Sequence, residues 1–122
     1  MLQKITLAEV LAVGRKAYEE KRLQAQNGGE SYCTYRDNKD CPCVVGAAMT
    51  VETLDSLRDN GRNEMGIGDL ARRGFVSIPE EDVAEITWLQ AAHDQWSWAV
   101  ADDPSGAAEE EAEFVRLLYH TY

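Results

Sequence analysis

A chain of 122 residues with 44% hydrophobic and 28% charged side chains has the size and make-up of one globular domain spanning 1–122, and is too short for two. No run approaches the roughly 18 apolar residues of a membrane span, and the start, Met1 to Thr6, lacks the layout of a secretory signal, so a cytoplasmic protein with no membrane partner is expected. Its 22 acidic and 12 basic residues leave a formal net charge of −10, which disfavours direct contact with nucleic acid and makes a basic protein the natural partner.

Thr6 precedes Leu7, Val10, Leu11, Gly14, Ala17 and Tyr18, a three-and-four spacing that lines one helical face. Glu9 completes a capping box, and the helix is expected to run to about Gln26, where Asn27-Gly28-Gly29 stops it. Ser31 to Arg36, with Tyr32, Cys33, Thr34 and Tyr35 between them, is rich in β-branched and aromatic residues. Asp37-Asn38-Lys39-Asp40 and the apolar run Cys41 to Val45 follow. That order predicts a small β-hairpin, completed by an extended segment at Phe75 to Ile78 because a lone hairpin is marginal in water. Thr50 caps a short helix through Leu57, ending near Asn60-Gly61, and another short helix is expected from Ile67 to Arg73, closed by Gly74. From Pro79 to Val100 the longest periodic stretch places Val83, Ile86, Leu89, His93, Trp96 and Val100 on one face. Asp102-Asp103-Pro104 breaks it, and Ser105 then caps a last helix with a buried stripe of Ala108, Val115, Leu118 and Tyr122. The expected fold is therefore helix-dominated α+β, with five helical segments and one small hairpin or short antiparallel sheet. Three helices should pack around Trp96.

The charge is segregated. Residues 1–76 hold eleven acidic and eleven basic residues, so the whole excess falls in residues 77–122, where eleven acids face the single base Arg116. A surface of Glu80, Glu81, Asp82, Glu85, Asp94, Asp102, Asp103, Glu109, Glu110, Glu111 and Glu113 follows, with Trp98 as its aromatic anchor. The corresponding function is a non-enzymatic acidic module that docks onto a basic, nucleic-acid-binding groove and competes with phosphate there. The bland reading is a solubilising face, with the first-turn glutamates serving the helix dipole.

Three cysteines, Cys33, Cys41 and Cys43, in a chain without an export signal argue against a disulfide framework. With His93 or His120 they could supply zinc ligands, but the spacing of a ligand pair is absent, and packed thiols are expected instead, with no metal and no cofactor. Neighbouring residues on a helix diverge by about a hundred degrees, so His93 and Asp94 are not expected to bond to each other. Gly66-x-Gly68 lacks the rest of a dinucleotide site, and no serine stands in a nucleophile elbow. The rival to the acidic module is a small enzyme or ligand-binding protein whose site lies where Cys33, Cys43 and His93 converge.

Cys33-Thr34-Tyr35-Arg36, Cys43-Val44-Val45-Gly46-Ala47-Ala48-Met49 and Leu89-Gln90-Ala91-Ala92-His93-Asp94 together resemble the motifs of a group of small proteins from bacteriophages and proteobacteria. The resemblance covers about half of the chain as short motifs, and Cys41-Pro42 and the acidic tail after Asp102 depart from it. It implies a phage or mobile-element origin and no established activity. In size and charge alone the chain is also similar to small acidic inhibitors of host proteins, such as anti-CRISPR proteins and DNA mimics.

Overall fold

The computed structural model describes residues 2–31, 33–37 and 39–120. Met1 of the expected start, Tyr32 and Asn38 of the expected hairpin, and Tyr122 of the expected last stripe lie outside the described residues. Among the described residues there are five helices: α1 (Leu7–Glu19), α2 (Val51–Asp59), α3 (Ile67–Arg72), α4 (Val83–Asp102) and α5 (Ala107–Leu118), with 3-10 turns at Gln24–Gln26, Gly46–Ala48, Glu80–Asp82 and Pro104–Gly106.

Thr6 starts α1 by accepting the Glu9 amide at 3.2 Å while its hydroxyl donates to the Glu9 carboxylate, and Val10, Leu11, Gly14 and Ala17 form the buried face. The helix ends well before Gln26. Lys21 turns left-handed with φ 59, and the Arg22 and Lys21 amides fold back onto the Ala17 and Tyr18 carbonyls at 2.9 and 3.1 Å. This is a Schellman closure with lysine where glycine is usual, and it overrides the helix-favouring residues beyond it. The 24–26 turn that follows buries Gln24, whose side-chain amide donates to the Thr34 and Cys41 carbonyls at 2.6 and 3.1 Å.

The expected hairpin is overturned, and with it the α+β class: no strand forms among the described residues, and the fold is all-α. Arg36 and Pro42 make one isolated antiparallel bridge, and Lys4 and Ser77 one parallel bridge. The ladder cannot lengthen. Pro42 has no N–H to donate, the Tyr35 amide goes to the Asn63 carbonyl at 3.2 Å, and the Asp37 carboxylate curls the turn by accepting the Lys39 and Cys41 amides. Tyr35 instead packs in the core on its own, and its hydroxyl donates to the Met65 carbonyl. Gly46 lets the 3-10 turn lie directly on the Tyr35 backbone, where a Cβ would overlap the carbonyl.

α4 and α5 form an antiparallel helical pair across the 104–106 turn, and α1 packs on both. Ser105 does not cap α5: its hydroxyl donates to Asp103 at 2.9 Å, and Gly106 occupies the cap position. The buried residues of α5 are Phe114 and Leu118, whereas Ala108 is exposed. Phe114 meets Trp96 at 5.4 Å and His93 at 5.8 Å between ring centroids, and Tyr18 stands edge-on to Trp96 at 6.0 Å. α1 holds the open end of the pair through two bonds: the Leu7 amide to the Asp82 carboxylate at 3.0 Å, and Arg15 Nε to the Leu118 carbonyl at 2.8 Å. Among the described residues no helix is long and apolar enough to cross a membrane.

Candidate functional site

Two places bring chemically active residues together. The first is the corner where the 24–33 loop meets α4. The Ala25 amide donates to His93 Nε2 at 3.4 Å, and His93 Nδ1 lies 3.2 Å from Asp94 Oδ1. The short aspartate side chain curls back along the helix, so the separation expected for adjacent helical residues is overcome. Because Nε2 accepts the Ala25 N–H, the ring proton sits on Nδ1, which donates a hydrogen bond to the Asp94 carboxylate. The Cys33 sulfur lies within 4.8 Å of the ligand atoms of both His93 and Asp94, and Ser97 Oγ accepts the Glu30 amide at 2.8 Å. Hydrogen bonds thus tie the loop to α4 at two points, Ala25 to His93 and Glu30 to Ser97. Gly29, at φ +67, permits it, because the loop passes so near the Ser97 carbonyl that no Cβ fits.

Ligand-type atoms of Cys33, His93 and Asp94 lie within 4.8 Å of one another, the one such trio found among the described residues, and Cys41, Cys43 and His120 are not in it. The donor set does not suit a cation. A histidine bound through Nδ1 would carry its proton on Nε2, where the Ala25 amide already presents one. Nor does the trio suit nucleophilic chemistry. Burial, and then the Asp94 carboxylate, push the Cys33 thiol up to about 12, with the Ser97 bond only partly opposing them, while burial also raises the fully buried Cys43. Protonated thiols are poor nucleophiles. Cys33, Cys43 and Asp94 line a chamber of about 50 Å³ with Tyr35, Gln90 and Met65, which holds on the order of a few waters. Of the residues of the enzyme reading, Cys33 meets His93 in the trio and Cys43 at the chamber, while Cys43 and His93 share neither.

The second place is the acidic α4–α5 pair. Its carboxylates divide into two groups. Asp82 accepts the Leu7 amide, Asp94 joins the corner, and Glu111 accepts the Tyr18 hydroxyl at 2.8 Å, which together with burial raises that phenol to about 12. Asp102 accepts from Ser31 and Asp103 from Ser105. Glu85 is half-buried, with Oε2 enclosed. Glu113 is held below the ordinary carboxylate range by Arg116, bonded at 2.6 and 3.0 Å. Glu80, Glu81 and Glu109 are exposed, and Glu110 is half-buried.

Trp98 is 40% exposed, and Trp88 is 57% exposed. Trp88, Ala91, Ala92 and Leu117 form the apolar floor of an open groove of about 660 Å³ between α4 and α5, with Glu110 and Glu113 at its side. The signal for Trp88 was present in the sequence: Trp88, Ala91, Gln95 and Trp98 recur at intervals of three and four, a second helical face beside the core one.

Comparison with protein-family models, curated proteins and solved structures finds no match to this chain.

Proposed function

We propose that this chain is a non-enzymatic, acidic protein-binding module whose α4–α5 pair occupies a basic, nucleic-acid-binding groove on a host protein and so competes with nucleic acid. The observation that carries this reading is the charge distribution: the entire net charge of −10 belongs to residues 77–122, which supply the acidic turn Glu80–Asp82 and the two long adjoining helices α4 and α5. A solubilising role would be served equally well by acids spread over the whole surface, and concentrating like charges costs stability. Association driven by such a surface is fast and weakens with salt, because exposed charges are screened over about 8 Å at physiological ionic strength.

The test is capture from a bacterial lysate by the wild-type chain and by a variant with Glu80, Glu81, Glu109 and Glu110 all changed to Lys. Glu111 and Asp82 are left alone because they hold Tyr18 and α1. The wild type should retain basic nucleic-acid-binding proteins, release them as salt rises and lose them to added duplex DNA, and the variant should retain none of them. Identical partners with identical salt dependence for both chains would refute the proposal.

A further inference from the structure

Resting on that reading, we infer that the contact is made by the outer face of α4, which takes a cationic amphipathic helix of the partner along the stripe Trp88, Ala91, Gln95 and Trp98. α4 carries two apolar faces. One is spent on the core through Ile86, Leu89, His93 and Trp96. Among the described residues the other has nothing packed over it: Ala84, Trp88, Ala91, Gln95, Trp98 and Asp102 are all exposed, at alternating steps of four and three along one side of the helix. That spacing is the seam by which one helix receives another. Ten residues separate the two tryptophans, about 15 Å at the rise of an α-helix, the length of roughly three turns of a partner helix. Two large aromatic side chains left in water at the ends of such a seam are the residue type that dominates interface energies.

Charge decides the occupant. A helix lying on the stripe has Glu110 and the Glu113–Arg116 ion pair of α5 along one flank, across the groove floored by Ala92 and Leu117, so the unbalanced charge it meets is that of Glu110 and, at the α4 C-terminal end, of Asp102 and Asp103. A second copy of this chain would bring the same carboxylates against themselves, and like charges across an interface oppose it. A helix bearing lysine or arginine beside its apolar stripe meets opposite charge on that flank and at that end. Small Ala91 between the tryptophans leaves room for a large apolar residue at the partner's centre.

The test uses a synthetic peptide with leucine at positions i, i+3, i+7 and i+10 and lysine elsewhere, against a scrambled peptide of equal composition. Trp96 is only 3% exposed, so a blue shift of tryptophan fluorescence reports Trp88 and Trp98. The amphipathic peptide should bind about tenfold or more tighter than the scrambled one, and Trp88→Ala and Trp98→Ala should each weaken it by about tenfold. Both sites are exposed, and unchanged circular dichroism and melting of the variants check that the fold is intact. Equal binding of the two peptides overturns the inference while leaving the acidic module standing, because charge alone would then account for the contact. Sedimentation showing a dimer that Trp88→Ala dissociates overturns it in favour of a second copy.

Discussion

Replacing His93 by alanine separates a structural corner from a functional one. The ring is fully buried, bonded to the Ala25 amide and to Asp94, and set edge-on to Trp96 and Phe114 at 6.1 and 5.8 Å. Its loss leaves the Ala25 N–H buried without a partner, at about 1–3 kcal/mol. Two aromatic contacts go as well, each about 0.5–1.5 kcal/mol, and a hole opens between packed rings. Asp94 is half-exposed and recovers its bond from water, so it adds little. The sum, about 2–6 kcal/mol, spans the cost of aromatic truncations in cores and is a large share of the roughly 5–15 kcal/mol by which a domain is stable. Urea unfolding should show the midpoint falling by about 1 M or more at an unchanged slope. His93→Gln, whose carbonyl can take the Ala25 amide, should recover about 1 kcal/mol of the loss. Affinity for the lysine-leucine peptide, measured on the folded fraction, should stay at the wild-type value in both variants. A His93→Ala protein within about 1 kcal/mol of wild type would refute the reasoning, since the Ala25–His93 bond would then not be holding the loop to α4.

Gly46→Ala should destabilise by about 2 kcal/mol or more, because the new Cβ must push the turn off the Tyr35 backbone and overpacking against backbone has no flexible neighbour to yield; thermal melting checks it, and an unchanged Tm counts against the close approach. Alkaline pH should weaken the fold. The Cys33 thiol and the Tyr18 phenol are both raised to about 12 in the folded chain, above their ordinary values near 9 and 10, so folding favours their protonated forms. That contribution is complete below about pH 9 and is lost as pH climbs towards 12. The urea midpoint should therefore decline above about pH 9, less steeply in Cys33→Ala, and rapid labelling of native Cys33 by iodoacetamide at pH 8 would contradict it.

Helix positions were legible because they rest on local signals. Thr6 and Thr50 cap as their sequence contexts suggest, and the core face of α4 follows the 3.6-residue period. The hairpin misled for a physical reason. Strand-favouring side chains at 31–36 describe what the chain tolerates, whereas a sheet requires amide partners, and here they are Asn63 and the side chain of Gln24. Neither lies near enough in sequence to be read. The acidic surface was visible as a count, but the carboxylates already engaged were not, since Asp82 and Glu111 find their partners 75 and 93 residues away. Trp88 belongs to a second periodic face of α4, recurring at intervals of three and four with Ala91, Gln95 and Trp98.

The grip of α1 on the far end of the chain also sets an order of events during synthesis. Leu7 waits for Asp82, and Arg15 for Leu118, across 75 and 103 residues. Joining such distant points costs chain entropy that local contacts must first offset. α1 therefore stays unclasped until Asp82 and then Leu118 have been made. The α4–α5 pair, adjacent in sequence, can close on itself beforehand, which makes it the natural nucleus onto which the N-terminal helix docks last.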